Sequence, residues 1–214
     1  MSTELILVRH GETEWNAIGR IQGHLTVFLN DRGQAQAEAV AKRLENESFH
    51  ALYSSDLDRT MQTAEAIARL TGHEIHKDTR LREWNLGVLS GLKQSEAKIK
   101  YPDVYAIYHH ERVDDPIPDG ESIRERYTRV VTCVEEIASA HKGERIVVVT
   151  HGGALGDCYR KATGLALDRP MDVELYNCGL NTFVIDGQNW ELESWGDIAH
   201  LAGIGSMGGW EGRK

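Results

Sequence analysis

Two short apolar runs constrain this chain more than any other feature. Leu5-Ile6-Leu7-Val8 ends in Arg9-His10-Gly11, and Ile146-Val147-Val148-Val149 ends in Thr150-His151-Gly152. Each run is too short for a helix and has no amphipathic period, so each reads as a strand buried in a parallel sheet. Two central parallel strands bring both imidazoles out at one edge, beyond the carboxyl ends where such sheets bind ligands. The glycine after each histidine permits a close backbone approach.

The rest of the chain alternates in the same way. Asn30 or Asp31 caps an Ala-rich amphipathic stretch running to about Glu45, and Phe49–Tyr53 follows as a strand. Ser54-Ser55-Asp56 is a cap-rich turn before a helix that runs to about Leu70 and closes at Gly72. His73–Lys77 is a short strand. Ser122, with Glu125 in the capping-box position, starts a long helix to about His141. A helix follows Gly153, and strand-like segments at about 173–177, 180–186 and 190–195 complete the body. The pattern predicts an α/β fold, a three-layer α/β/α sandwich around a mostly parallel central sheet.

The segment from Leu81 to Gly120 breaks this rhythm. It is long for a connection and reads as a cover over a functional site. Residues 1–201 are therefore expected to form one domain with a cover insertion at about 84–120. Residues 202–214 form a Gly-rich tail.

Composition narrows the function. The 214 residues are 41% hydrophobic, enough for one sizeable core, and carry a formal net charge of −9. An acidic chain suits neither nucleic acid nor an anionic membrane. An anionic substrate needs a local cluster of Arg and His instead. Cys133, Cys158 and Cys178 are odd in number and widely spaced, which argues against a disulfide framework and fits a cytoplasmic protein. No apolar run approaches the length of a membrane span.

The candidate chemistry collects around the two histidines. Arg9 adds a planar fork suited to phosphate. Arg59 falls in the first turn of the helix after Ser54-Ser55-Asp56, where it can clamp an anion at the helix N-terminus. Judged alone, it also reads as a solvated helix arginine. Glu83, in Leu81-Arg82-Glu83-Trp84, is a candidate proton donor. In isolation it reads more readily as a surface carboxylate paired with Arg82. A zinc ion between His10 and His151 is the rival reading of the paired imidazoles. Trp15, Trp84, Tyr101, Tyr105 and Tyr108 divide between core packing and a substrate wall.

The ordered set Arg9-His10-Gly11-Glu12-Thr13-Glu14-Trp15-Asn16, Arg20-Ile21-Gln22-Gly23, Ser54-Ser55-Asp56-Leu57-Asp58-Arg59-Thr60, Leu81-Arg82-Glu83, Gly120-Glu121-Ser122 and Thr150-His151-Gly152-Gly153 resembles the histidine phosphatase superfamily, which includes the cofactor-dependent phosphoglycerate mutases. The resemblance implies a phosphoglycerate mutase-like fold, a phosphohistidine on His10, and Glu83 as proton donor and acceptor. It implies Arg9, Arg59 and His151 around the transferring phosphoryl group, and Asn16, Gln22, Gly23 and Gly152 on the substrate side. No metal or other cofactor is expected. The partner is a small phosphomonoester, with a homodimer left open. A phosphomonoesterase is the favoured activity. A mutase using 2,3-bisphosphoglycerate is the alternative, and a non-catalytic module that binds phosphorylated ligands is a third reading. The chain departs from the usual family pattern at Thr26, where Asp is common, and at Phe28, where Pro is common. Phe28 is left between packing and lining a substrate wall.

Overall fold

In a computed structural model, residues 1–109 and 112–206 are described. Of the Gly-rich tail expected at 202–214, residues 207–214 lie outside the described residues, as do His110 and Glu111 of the cover segment. Six strands, β1 (Thr3–Arg9), β2 (Ala51–Ser54), β3 (Ile75–Lys77), β4 (Arg145–Thr150), β5 (Leu180–Asp186) and β6 (Asn189–Asp197), form one sheet in the order β3-β2-β4-β1-β5-β6. The first four strands in that order are mutually parallel, and β5 and β6 join antiparallel. β1 and β4 are adjacent and in register, Val8 beside Val149 and Arg9 beside Thr150. The mostly parallel sheet read from the sequence is present, with the two histidine-bearing strands at its centre.

Seven helices complete the described chain: α1 (Glu14–Ala17), α2 (Asp31–Leu44), α3 (Asp58–Thr71), α4 (Gln94–Lys100), α5 (Pro102–Tyr108), α6 (Ile123–Ala140) and α7 (Gly152–Thr163). Strand residues alternate between faces, and that alternation builds three layers. Leu5 and Leu7 of β1, Ile146 and Val148 of β4, and Phe183 of β5 face α6 and α7, meeting Val130, Val134, Ala154 and Leu155. Ile6, Val8, Val147 and Val149 face α2 and α3, meeting Val40, Leu44, Ala64 and Ile67. A full swing from exposed to buried is worth roughly 1.5–3 kcal/mol for each such side chain.

The helix ends follow the sequence at α2, α6 and the close of α3, but α3 begins after Leu57 with no side-chain cap, so the Ser54-Ser55-Asp56 turn does not cap it. Asn30 accepts from Gly33 N at the start of α2, and Ser122 with Glu125 makes a reciprocal capping box at α6. Gly72 ends α3 in the left-handed conformation at φ 76°. The expected strand at 173–177 does not form. Its backbone is used elsewhere: the Leu175 carbonyl accepts from the Arg9 guanidinium, and Cys178 N donates to the Arg9 carbonyl at 2.9 Å. The cover segment packs a cluster against the start of α6, in which Trp84, Leu86, Leu89, Ile107 and Ile117 are buried with Ile123.

Candidate active site

The carboxyl ends of β1 and β4 converge on one cleft of about 100 Å³. His10 lines the cleft, and the fully buried His151 stands edge to face with His10, ring centroids 5.3 Å apart and planes inclined at 62°. Backbone bonds from His10 N to Thr150 O at 2.9 Å and from Ser55 N to Val149 O at 3.0 Å extend the sheet pairing past the last strand residues. The loops thus inherit the strands' spacing. The glycine after His10 serves a backbone contact: a Cβ on Gly11 would lie 2.4 Å from the Gly33 carbonyl.

His10 is 3% exposed. Its Nδ1 lies 2.7 Å from the Gly11 carbonyl oxygen, which can only accept, so the proton sits on Nδ1 and Nε2 keeps its lone pair. Burial, with the Arg59 and Arg9 guanidiniums nearby, holds His10 well below the ordinary imidazole range. His151 is fully buried, and its Nε2 lies 2.8 Å from Ser55 Oγ. Burial, then Arg59 and His10, holds it well below that range too, so both rings are neutral at neutral pH.

Both arginines are buried as cations. Arg59, on the second residue of α3, donates Nη2 to Gly23 O at 2.8 Å and Nη1 to Leu25 O at 3.3 Å. Burial pushes it down to about 10, still charged at neutral pH. Burial lowers Arg9 as well, and its Nη1 is anchored on Leu175 O. The Nε atoms of both have no hydrogen-bond partner. Two partly unsatisfied guanidiniums in one cleft favour an anion.

Glu83 is half-buried at the rim of the same cleft. Its Oε1 accepts from Trp84 N at 2.8 Å and its Oε2 from Gly153 N at 3.1 Å. The pairing with Arg82 read for Glu83 in isolation is corrected. Arg82 turns away and grips Asp56 with two bonds of 2.6 and 2.5 Å. The solvated reading of Arg59 is corrected as well, because that residue is 1% exposed.

Asn16, Gln22, Gly23 and Gly152 all line the cleft. Asn16 also closes a capping box with Thr13, accepting from its backbone N at 3.1 Å. Gly23 has φ +53°, and a Cβ there would meet Ser90 Oγ at 2.5 Å. Of the five aromatics, Trp15 and Tyr108 line the cleft. Trp84 is core, and Tyr101 and Tyr105 pack against the cover cluster. Phe28 does neither of the things expected: it is 56% exposed and does not line the cleft.

Two site residues were missed from the sequence. Asn177 is buried at the cleft wall, donates Nδ2 to the His10 carbonyl at 2.8 Å, and leaves Oδ1 without a partner. Ser55 holds His151. Ser55 lies in the Ser54-Ser55-Asp56 turn, whose pattern signals a helix cap and not a histidine partner, and Asn177 lies in no such motif; both reach the histidines only through tertiary contacts. Among the described residues, no three His, Cys, Asp or Glu side chains gather as a metal ion would require, so the zinc reading finds no third ligand beside the two histidines. Among the same residues, no helix is long and apolar enough to cross a membrane.

One imidazole and two guanidiniums lining a cleft at the carboxyl edge of a parallel sheet, with a second imidazole in ring contact with the first, define a phosphate-handling α/β protein. The sequence profile of the histidine phosphatase superfamily (branch 1) matches residues 5–198, and the chain belongs to that family. It is 44% identical over 208 residues to phosphoglycerate mutase-like protein 4 of Arabidopsis thaliana, covering 95% of this chain and 89% of the plant protein. It is 40% identical to the metal-independent phosphoserine phosphatase of the same plant, covering 96% and 86%. Among solved structures, the phosphoserine phosphatase of Entamoeba histolytica in complex with 3-phosphoglyceric acid superposes with a TM-score of 0.83 at 28% identity, covering 93% and 99%.

Proposed function

We propose that the protein is a phosphomonoesterase that hydrolyses small phosphorylated metabolites through a phosphohistidine on His10, without a metal cofactor. The observation that carries this reading is the tautomer-fixed His10 imidazole, held neutral in a cleft that two buried guanidiniums also line. His10 Nε2 attacks phosphorus as the P–O bond to the alcohol breaks. Arg9, Arg59 and His151 balance the charge on the three non-bridging oxygens, which is the main task in phosphoryl transfer. His151 gains its charge only with the phosphate dianion beside it. Glu83 gives its proton to the leaving alkoxide, then takes one from the water that cleaves the N–P bond. Asn16, Gln22, Gly23 and Gly152 contact the phosphate and its alcohol.

The cleft favours a phosphatase over a mutase. Among the described residues lining it, the cations beyond Arg9 and Arg59 reduce to Arg20, and Lys93, Lys98 and Lys100 of the cover segment are exposed. Of the described lining residues, Arg20 is then the one further cation open to the second phosphate of a bisphosphate. Phosphoserine and 3-phosphoglycerate head the substrate panel, given the relatives' names. Residues 1–201 form, in this reading, one domain, with 84–120 as its cover. Three buried unpaired thiols suit a cytoplasmic location.

The test is phosphate release from phosphoserine, 3-phosphoglycerate and p-nitrophenyl phosphate in EDTA and without bisphosphoglycerate. Steady turnover supports the phosphatase. Isomerisation of 3-phosphoglycerate only on adding bisphosphoglycerate supports the mutase instead.

A further inference from the structure

Behind Glu83, away from the phosphate pocket, lies a buried charge pair with no part in the proposed chemistry so far. Arg126 of α6 is 2% exposed and Asp157 of α7 is fully buried. Arg126 donates Nε and Nη2 to the two oxygens of Asp157 at 2.7 and 2.9 Å. Its guanidinium carbon lies 4.6 Å from the centre of the Trp84 ring, the residue next to Glu83. The remaining nitrogen, Nη1, is buried with no hydrogen-bond partner. A buried N–H of this kind is costly unless it has a task.

The position of Gly153 shows where that nitrogen points. A Cβ placed there would lie 2.1 Å from Glu83 Oε1 and 3.3 Å from Arg126 Nη1. Carboxylate and guanidinium therefore border the same small space, with only a glycine between them. Burial works against charge on both members of the pair, and Asp157 keeps Arg126 charged. Two bonds to Asp157 and the stack on Trp84 fix the guanidinium plane, so Nη1 has little freedom to turn elsewhere.

We infer that Arg126, clamped by Asp157, is a positioning residue that acts on Glu83 through its field and not through a bond, stabilising the carboxylate formed when the Glu83 proton leaves. The inference rests on the reading of Glu83 as the proton donor. As His10 Nε2 bonds to phosphorus, the P–O bond breaks and its electron pair takes the Glu83 proton. The negative charge then appears on Glu83, in the field of Arg126. In the second step water attacks phosphorus, the N–P bond breaks, and the water proton returns to Glu83.

The leaving group separates this role from a structural one. An alkyl phosphate such as phosphoserine needs the proton, whereas p-nitrophenolate leaves without it. Arg126→Met alone strands Asp157 as a buried unpaired carboxylate, so the working variant is the neutral pair Arg126→Met/Asp157→Asn, with Arg126→Lys as the charge-keeping control. The neutral pair should lower kcat/KM for phosphoserine about ten-fold or more beyond its effect on p-nitrophenyl phosphate. Arg126→Lys should recover most of that selective loss. In a Glu83→Gln background the neutral pair should add no selective loss. Equal losses on both substrates, or an undiminished selective loss in the Glu83→Gln background, would overturn the inference. Glu83→Gln alone tests the underlying reading separately: if it spares phosphoserine as much as p-nitrophenyl phosphate, Glu83 is not the donor. Should the neutral pair fail to fold, the decision passes to a second neutral pair, Arg126→Gln/Asp157→Asn, which keeps a hydrogen bond between the two positions. A selective loss on phosphoserine that Arg126→Lys does not show supports the role, and equal losses on both substrates contradict it.

Discussion

The Gly11 carbonyl oxygen lies 2.7 Å from Nδ1 of His10, a bond between adjacent residues that fixes which nitrogen of the ring is free to attack. Most imidazoles near their ordinary pKa are partly protonated at pH 6.5 and are then poor nucleophiles. Here burial, Arg59 and Arg9 keep His10 neutral to well below that point. The kcat/KM profile should therefore show no loss of activity through pH 6.5 from His10, with its acid limb displaced to lower pH. A limb centred near 6.5 that His10 controls would contradict the assignment.

Arg59 reaches the cleft from the second residue of α3, with its guanidinium held by the carbonyls of Gly23 and Leu25. Arg59→Ala should remove roughly 2–4 kcal/mol of transition-state stabilisation, the scale of losing one oxyanion donor. In steady-state kinetics this reads as a fall of about 30- to 1,000-fold in kcat/KM. Unchanged kcat/KM in a folded variant would remove Arg59 from the site.

Gly153 gives a cleaner probe of Glu83 than deleting the carboxylate. The methyl of Gly153→Ala would sit 2.1 Å from Glu83 Oε1, at the end of a side chain that can swing aside. The fold should survive and the carboxyl should move. Turnover of alkyl phosphates should drop about 10- to 100-fold, within the range general acids supply, while the melting temperature changes little. Full activity would show that Glu83 need not be where it stands.

The same burial has a cost in stability at low pH. In the unfolded chain His10 and His151 titrate near 6.5, but folded they resist protonation. Below pH 6.5 the unfolded chain binds protons that the folded chain does not. Stability present above that pH is lost as pH falls, by up to about 1.4 kcal/mol per pH unit for each histidine. Thermal melts from pH 7.5 to 5 should show a shallower decline for His151→Gln than for the wild type. Equal slopes would mean that His151 protonates normally in the fold.

Much of this site was legible in the sequence because it hangs on backbone pattern. Two runs of four apolar residues announce central strands, and a histidine after each must leave the sheet at its edge. Ser122 and Glu125 mark a capping box by spacing alone, and Gly72 marks a left-handed helix end. What stayed hidden depends on tertiary partners. Asn177 meets the His10 carbonyl across 167 positions of chain. The 173–177 segment has strand-like residues, yet its Leu175 carbonyl serves Arg9. Arg82 stands beside Glu83 in sequence and pairs with Asp56. Arg126 and Asp157 lie on two helices whose facing sides only the packed structure brings together.

Trapping the intermediate tests the central claim most directly. Enzyme mixed with phosphorus-32-labelled substrate and quenched in base within the first turnover should carry acid-labile, base-stable label on the peptide containing His10. The His10→Ala protein, folded by circular dichroism, should carry none and release no phosphate. Label on a different residue, or phosphate release by the alanine variant at near wild-type rate, would contradict the account.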